Sequence, residues 1–198
     1  MGNPQPGSKY FESPAEEVLI KFPEVLTRVT PRHNQWSKRI AIEIKNLMAY
    51  IDFLKGRKNS SWFFLKPCTE KKYNYQRWDG ELKIPGRPDI TFDLRIILTS
   101  EYPAVFPRAF AEEKIKDYCA GNIYPKNVWT EPGNPKKYIM ICHDHMSEQG
   151  GAWDPHLSIA HFLLREVHYW YMSKMNSIIS NWDEKVNGIK PKNVFSEE

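Results

Sequence analysis

Long apolar runs are missing from this 198-residue sequence: none approaches the roughly 18–20 residues that a membrane-spanning helix needs. Cysteine is scarce as well. Cys68, Cys119 and Cys142 are the full set, an odd complement that argues against a disulfide framework and fits a reducing, cytoplasmic setting. The opening MGNPQPGSKYFESP lacks the apolar stretch of a secretory signal, which points the same way. Nor does charge of one sign dominate. Lys and Arg total 28 against 24 Asp and Glu, a net charge of +4. That permits docking on an acidic partner, but without clustering it is no nucleic-acid footprint. No internal repeat or low-complexity tract stands out. Aromatic residues are plentiful, 14% with seven tryptophans, which suits a filled core and excludes disorder throughout. The length accommodates one domain of about 150 residues with extensions.

Periodicity divides the chain. Residues 1–14 hold three prolines and two glycines, so an N-terminal extension is expected over 1–21, with a short helix at 15–21 ended by Pro23. Trp36, Ile40, Ile44, Leu47, Ile51 and Leu54 recur every three or four residues, the stripe of an amphipathic helix. Arg39 and Glu43 are spaced for an i,i+4 pair on it, and Gly56 supplies the stop. Then the pattern changes to short strands: Trp62–Leu65, Tyr75–Ile84 and Thr91–Thr99, the last two separated by Pro85-Gly86-Arg87-Pro88. Phe92, Leu94, Ile96 and Leu98 alternate with Asp93, Arg95 and Ile97 as in a half-buried strand. Glu101 to Gly151 is rich in proline and glycine and reads as a long, mostly irregular functional loop. Ile159, Ala160, Leu163, Leu164, Val167, Trp170 and Tyr171 form a second helical stripe, started near Asp154-Pro155. The expected fold is α+β: an N-terminal helix, an antiparallel meander of three to four strands, a long functional loop and C-terminal helices. The main domain runs over 22–175. A C-terminal tail follows over 176–198, polar and loosely held from about Ser180.

Within the long loop, Ile141-Cys142-His143-Asp144-His145 concentrates chemistry-bearing side chains. Four readings compete. A zinc site has Cys142, His143 and His145 as crowded ligands and needs Cys119 to fold back, with no C-x₂-C or His-x₃-His spacing to support it. A cysteine hydrolase needs a distant histidine, and His161 and His168 both fall on or beside the helical stripe. A carrier thiol needs an accessible sulfur at the end of a strand, where Cys142 stands after Tyr138–Ile141. The fourth reading is a polar turn that contains a thiol by chance, which is the default for Cys68 and Cys119.

FDLRIILTSEYPAVFP (92–107), with a strand ending in Tyr-Pro and a further proline beyond, resembles the ubiquitin-conjugating (UBC) fold. IMIC (139–142) followed by AWDPHLSIAHFLL (152–164) is similar to that fold's active-site cysteine, its Trp-x-Pro and its next helix. Within the superfamily the chain most resembles the ubiquitin-fold modifier conjugating enzymes. FPEVLTRVTPR (22–32) resembles that branch's approach to the first helix. Trp36-x-x-Arg39, Glu43 and Tyr50 resemble the first helix itself, and KNSSWFFL (58–65) the entry into the first strand. Ile159-Ala160-His161, with Trp170 nine residues later, resembles the post-cysteine helix. The likeness covers roughly residues 18–175. It implies a UBC-like catalytic domain that accepts a ubiquitin-like modifier from an activating enzyme as a Cys142 thioester. The modifier then passes to a lysine of a substrate protein with the help of a ligase. It also implies that the first helix, with Trp36, Arg39 and Glu43, and its preceding segment form the docking face for the activating enzyme. No metal or small-molecule cofactor is required, since the ATP step belongs to the activating enzyme.

The chain also departs from that branch. Tyr124-Pro125-Lys126-Asn127 echoes the His-Pro-Asn of ubiquitin-type enzymes, but WTEPGNPKKY separates it from the cysteine. Asn127 therefore matches by context, fifteen residues before Cys142, whereas Asn134 matches by the usual spacing of eight. Lys136 is a third candidate for supporting the oxyanion or positioning the lysine. Asp144-His145 resembles the modifier branch's Asp-His with one residue fewer after the cysteine. A free thiol with pKa near 8.5 is mostly protonated at neutral pH; charged His143 and His145 favour the thiolate and Asp144 opposes it. A ubiquitin-type conjugating enzyme and a non-catalytic UBC-like adaptor are the alternatives, and the presence of the cysteine speaks against the adaptor.

Overall fold

The computed structural model describes residues 13–57, 61–120, 128–130, 134–141 and 153–188. Its architecture is α+β, with helices packed on a six-stranded antiparallel sheet. Two short helices, α1 (Ser13–Glu16) and α2 (Glu24–Thr27), precede the long α3 (Trp36–Lys55). Helix α3 turns Trp36, Ile40, Leu47, Tyr50 and Leu54 inward, all 5% exposed or less. The 3.6-residue repeat also carries Arg39, Glu43 and Asn46 inward and leaves the expected stripe member Ile44 outward.

The strands are β1 (Phe63–Pro67), β2 (Arg77–Ile84), β3 (Arg87–Ile97), β4 (Arg108–Glu112), β5 (Val128–Thr130) and β6 (Lys137–Ile141). They lie in the order β1-β2-β3-β4-β6-β5. The expected meander is β1 to β3, and its alternation holds: Phe92, Leu94, Ile96 and Leu98 are all buried. Gly86 at φ 79 makes the β2–β3 turn, so β3 begins at Arg87 and takes in Pro88 rather than starting at Thr91. The long loop is not irregular throughout. Strands β4, β5 and β6 lie within it because each is short and proline-flanked, which hides the period-2 signal.

Gly80 on β2 is where the sheet tolerates no side chain. A Cβ there would stand 1.8 Å from the Phe64 carbonyl oxygen of β1 and 2.7 Å from its carbon. Backbone cannot yield as a flexible side chain would. Gly80→Ala is expected to lower stability by about 1–3 kcal/mol through separation of β1 from β2, read as a lower urea midpoint.

Both ends of the domain extend beyond the expected boundaries. Ala15, Leu19 and Phe22 are buried at 0, 7 and 3% exposure, and Asn46 clamps the Ile20 backbone through two 3.2 Å hydrogen bonds. This stretch thus contributes Ala15, Leu19 and Phe22 to the core, with helix at Ser13–Glu16 instead of 15–21. At the other end, α4 (Ile159–Phe162) leads through a π turn (Leu163–Val167) into α5 (His168–Asn187). The presumed tail is therefore helical to Asn187. Ile178 is fully buried, Trp182 packs on Tyr118 at 4.9 Å, and Asn181 donates to the Tyr118 carbonyl at 2.8 Å. Arg87 grips Asp183 at 2.7 and 3.0 Å. The helix is rich in Ser and Asn, so its polarity masked a narrow buried stripe. Among the described residues no helix is long and apolar enough to cross a membrane.

Candidate functional site

Two anchors bracket the segment that carries Cys142. The first is β6, interior to the sheet, which pairs Ile141 with Ala109 of β4 and buries Ile139 and Ile141 at 1 and 2% exposure. The second is Trp153, where the described chain resumes. Its indole N–H donates to the Pro103 carbonyl at 2.6 Å, and its ring meets Tyr102 and Phe162 at 6.1 and 6.5 Å. Cys142, His143, Asp144 and His145 lie between these anchors, outside the described residues.

Beyond Trp153 the backbone is held by a buried polar node. Arg39 is fully buried and uses all five of its guanidinium N–H donors. Nε donates to Glu43 at 2.9 Å, Nη1 to the carbonyls of Leu26 and Pro155 at 3.2 Å each, and Nη2 to the Tyr102 hydroxyl at 3.2 Å and the Leu157 carbonyl at 2.9 Å. Glu43 also accepts from the Tyr102 hydroxyl and from the Ile159 N–H. Burial raises the Glu43 carboxyl above its ordinary range, opposed by Arg39, Tyr102 and the Ile159 amide. The guanidinium lies 3.7 Å over the centre of the Phe22 ring, so the N-terminal segment closes the node from outside.

This geometry corrects the docking assignment. Trp36, Arg39 and Glu43 are 4, 0 and 0% exposed and offer no surface to a partner. Trp36 is instead tied to the Asn74 carbonyl at 2.8 Å. An i,i+4 Arg–Glu pair reads as solvated in a sequence. The signal against that reading was present, because 39 and 43 share the helical stripe of 36, 40, 47, 50 and 54. The node itself could not be found by pattern, since Tyr102, Pro155 and Leu157 join it only through the fold.

Strand direction separates the candidate supporting residues. Strand β6 is about 13 Å long at the usual rise per residue, and Asn134 and Lys136 precede its start while Cys142 follows its end. The Asn134 side chain accepts the Lys136 N–H at 2.9 Å, closing a local turn. Lys136 Nζ pairs with Asp93 at 2.7 Å on the sheet's outer face. Both residues thus stand before the start of β6, whereas Ile141, the residue before Cys142, ends it. Asn127 lies outside the described residues, but the chain it belongs to enters β5 at Val128, opposite Ile139. Antiparallel pairing makes that the Ile141 end of the ladder.

The histidines of the hydrolase reading have structural duties. His161 is 5% exposed, accepts the Ser158 N–H on Nδ1 at 3.0 Å and completes the capping box that starts α4. Burial lowers its pKa to about 4, and that of His168, packed on Trp62 at 5.0 Å, likewise. Burial pushes the Cys119 thiol up to about 11, so little of it is thiolate at neutral pH. Among the described residues no group of three or more His, Cys, Asp or Glu side chains is placed to hold a metal. The helix–sheet–helix frame therefore fixes both flanks of the Cys142 segment and assigns other work to the described residues that rival readings would need.

No protein-family model matches the chain, and no curated protein matches it significantly.

Proposed function

We propose that the chain is a UBC-like conjugating enzyme that carries a ubiquitin-like modifier, of the ubiquitin-fold modifier type, as a thioester on Cys142. The observation that carries this reading is the double anchoring of the Cys142 segment. The interior strand β6 ends at Ile141, one residue before the thiol, and Trp153, eleven residues after it, is pinned to Pro103. A carrier thiol needs such a frame, because two macromolecules must bring their reacting atoms to one fixed point.

The chemistry follows from the thiol. The Cys142 thiolate attacks the carbonyl carbon of the modifier's thioester on the activating enzyme; a new C–S bond forms, and the activating enzyme's thiolate leaves. In the second step a substrate lysine, having lost its ammonium proton, attacks the Cys142 thioester. The C–N bond forms, the nitrogen gives up one of its two remaining protons, and the Cys142 thiolate departs. Thiol–thioester exchange is close to balanced, so ATP is consumed upstream, by the activating enzyme. A reducing, cytoplasmic setting keeps the sulfur competent. Activating enzyme, modifier, ligase and substrate are the partners.

Developing negative charge on the thioester oxygen calls for a donor, and the ladder direction favours Asn127 over Asn134 and Lys136. Asn127→Ala is expected to slow discharge of the loaded thioester to free lysine by about 10²-fold. Asn134→Ala leaves it unchanged. Single-turnover discharge assays compare the two, and equal losses would refute the assignment.

The reading as a whole is tested by mixing the protein with ATP and a panel of activating enzymes with their cognate modifiers, followed by non-reducing gels. The expected result is an adduct that dithiothreitol removes and that Cys142→Ser converts to a thiol-resistant ester. If no panel member gives an adduct, the non-catalytic adaptor replaces the enzyme. An adduct with ubiquitin alone selects the ubiquitin-type alternative.

A further inference from the structure

The turn that leads into β2 is held in a conformation that its residues do not favour. Tyr73-Asn74-Tyr75-Gln76 closes on a 2.7 Å bond from the Gln76 N–H to the Tyr73 carbonyl. Both central residues are left-handed, Asn74 at φ 44 and Tyr75 at φ 59. A turn of this kind calls for asparagine and then glycine. The asparagine is in place, but a tyrosine holds the glycine position, and a bulky residue there is strained. Buried donors enforce the backbone. Trp36 Nε1 donates to the Asn74 carbonyl at 2.8 Å and Trp78 Nε1 to the Tyr75 carbonyl at 3.0 Å. The Asn74 side-chain amide donates to the Pro31 carbonyl at 2.8 Å. Glycine at 75 would accept the same bonds without strain. The tyrosine side chain makes none of them, and the residue is 39% exposed. Backbone strain that persists in this way is characteristic of positions that serve a ligand or partner.

The surroundings of Tyr75 are cationic. Lys71 and Lys72 precede the turn, Arg77 follows it, and Arg32 adjoins Pro31, to which Asn74 is bonded. Arg32, Lys71 and Lys72 are exposed. Two carboxylates stand among them and both are engaged, Glu70 by Lys72 at 3.1 Å and Asp79 by Arg77 at 2.7 Å. Lys72 and Arg77 also flank the Tyr73 ring, 4.7 and 4.6 Å from its centre. Four cations against two carboxylates leave a surplus of positive charge around an exposed aromatic side chain.

We propose that Tyr75 anchors a docking patch for an acidic protein segment, with an aliphatic or prolyl side chain of that segment on the Tyr75 ring and its carboxylates on Arg32, Lys71 and Lys72. An aromatic anchor supplies affinity, and exposed charges around it supply encounter rate and specificity. A polypeptide is favoured over a nucleic acid, because a bound strand stacks successive bases along a cationic groove and this patch is a single turn. The inference is independent of Cys142 chemistry.

The test titrates the isotope-labelled full chain with the capped peptide Glu-Asp-Leu-Pro-Glu-Asp and follows amide shifts by NMR. Shifts are expected at Asn74, Tyr75 and Gln76, and the peptide Lys-Lys-Leu-Pro-Lys-Lys is expected to leave these amides in place. Lys71→Glu should weaken binding about fivefold. Tyr75→Gly gives the sharper readout: affinity should fall about tenfold while relief of strain raises Tm by about 2–4 °C. A tyrosine present only for packing would give the opposite pair, a lower Tm with affinity unchanged. A lower Tm for Tyr75→Gly, unchanged affinity in either variant, an equal response to the lysine peptide, or no shifts at millimolar peptide would each overturn the proposal. So would tighter binding of an oligothymidylate than of the acidic peptide, since the partner would then be a nucleic acid.

Discussion

Replacing Arg39 by methionine is expected to lower stability by about 3–5 kcal/mol, the usual cost of leaving a buried ionic partner uncompensated. Methionine is close in volume and unbranched, so cavity formation is a minor part of the loss. The larger part is electrostatic. Glu43 loses the Nε donor at 2.9 Å, and the carbonyls of Leu26, Pro155 and Leu157 lose theirs. Adding Glu43→Leu should recover part of the deficit by removing the stranded carboxyl. Recovery should stay incomplete, because the three carbonyls and the Tyr102 hydroxyl remain without the guanidinium. Urea denaturation of the single and double variants measures both steps. A single variant within 1 kcal/mol of wild type would contradict the account of the node.

Glu166 is expected to make the domain lose about 3 kcal/mol of stability between pH 4.5 and 7. The residue lies in the π turn between α4 and α5, is 5% exposed, and burial alone pushes its carboxyl pKa from the ordinary 4.5 up to about 7. Below pH 4.5 the carboxyl is protonated in folded and unfolded chains alike, and it adds no pH dependence. Above 4.5 the unfolded chain ionises first and gains free energy that the folded chain does not. The deficit grows until the folded carboxyl also ionises near 7, and is constant beyond. A displacement from 4.5 to about 7 corresponds to about 3 kcal/mol. Glu166→Gln mimics the protonated form, so it should match wild type at pH 4 and exceed it by about that amount at pH 8. His161 and His168 titrate in the opposite sense, because burial lowers both to about 4 and acidification below their unfolded pKa near 6.5 costs stability. Subtracting the variant's curve from that of wild type removes their contribution. A difference that does not change between pH 4 and 8 would mean that the folded Glu166 carboxyl titrates at its ordinary value, unraised by burial.

The two strong periodicities were legible. Trp36 to Leu54 and Phe92 to Leu98 announce their helix and strand because each buries one face over several repeats. The rest failed for identifiable reasons. Strand β5 has three residues and β6 five, too short for alternation to rise above the surrounding prolines. Helix α5 beyond Met175 buries only a thin stripe through Ile178, and its Ser and Asn residues resemble a tail. Arg39 and Glu43 were misplaced at the surface because a buried ion pair and a solvated one have the same spacing. Around the thiol, motif context pointed to Asn127 and sequence spacing to Asn134. Only the direction of β6, which puts Asn134 and Lys136 at its far end, separates them.

The Arg39 node also orders events in time. Its acceptors lie at sequence separations of 4, 13, 63, 116 and 118 from the guanidinium. A chain emerging from the ribosome makes α3 early but has no use for its charged pair until Leu157 has been synthesised. Until then Arg39 and Glu43 keep their water, and the inner face of α3 stays amphiphilic rather than purely greasy. Long-range closure of this kind is slow, and a helix that carries charge on its future core face is protected from sticking to neighbours while it waits. The polar node is thus completed late in the chain: its most distant acceptors, the Pro155 and Leu157 carbonyls, lie 116 and 118 residues after Arg39.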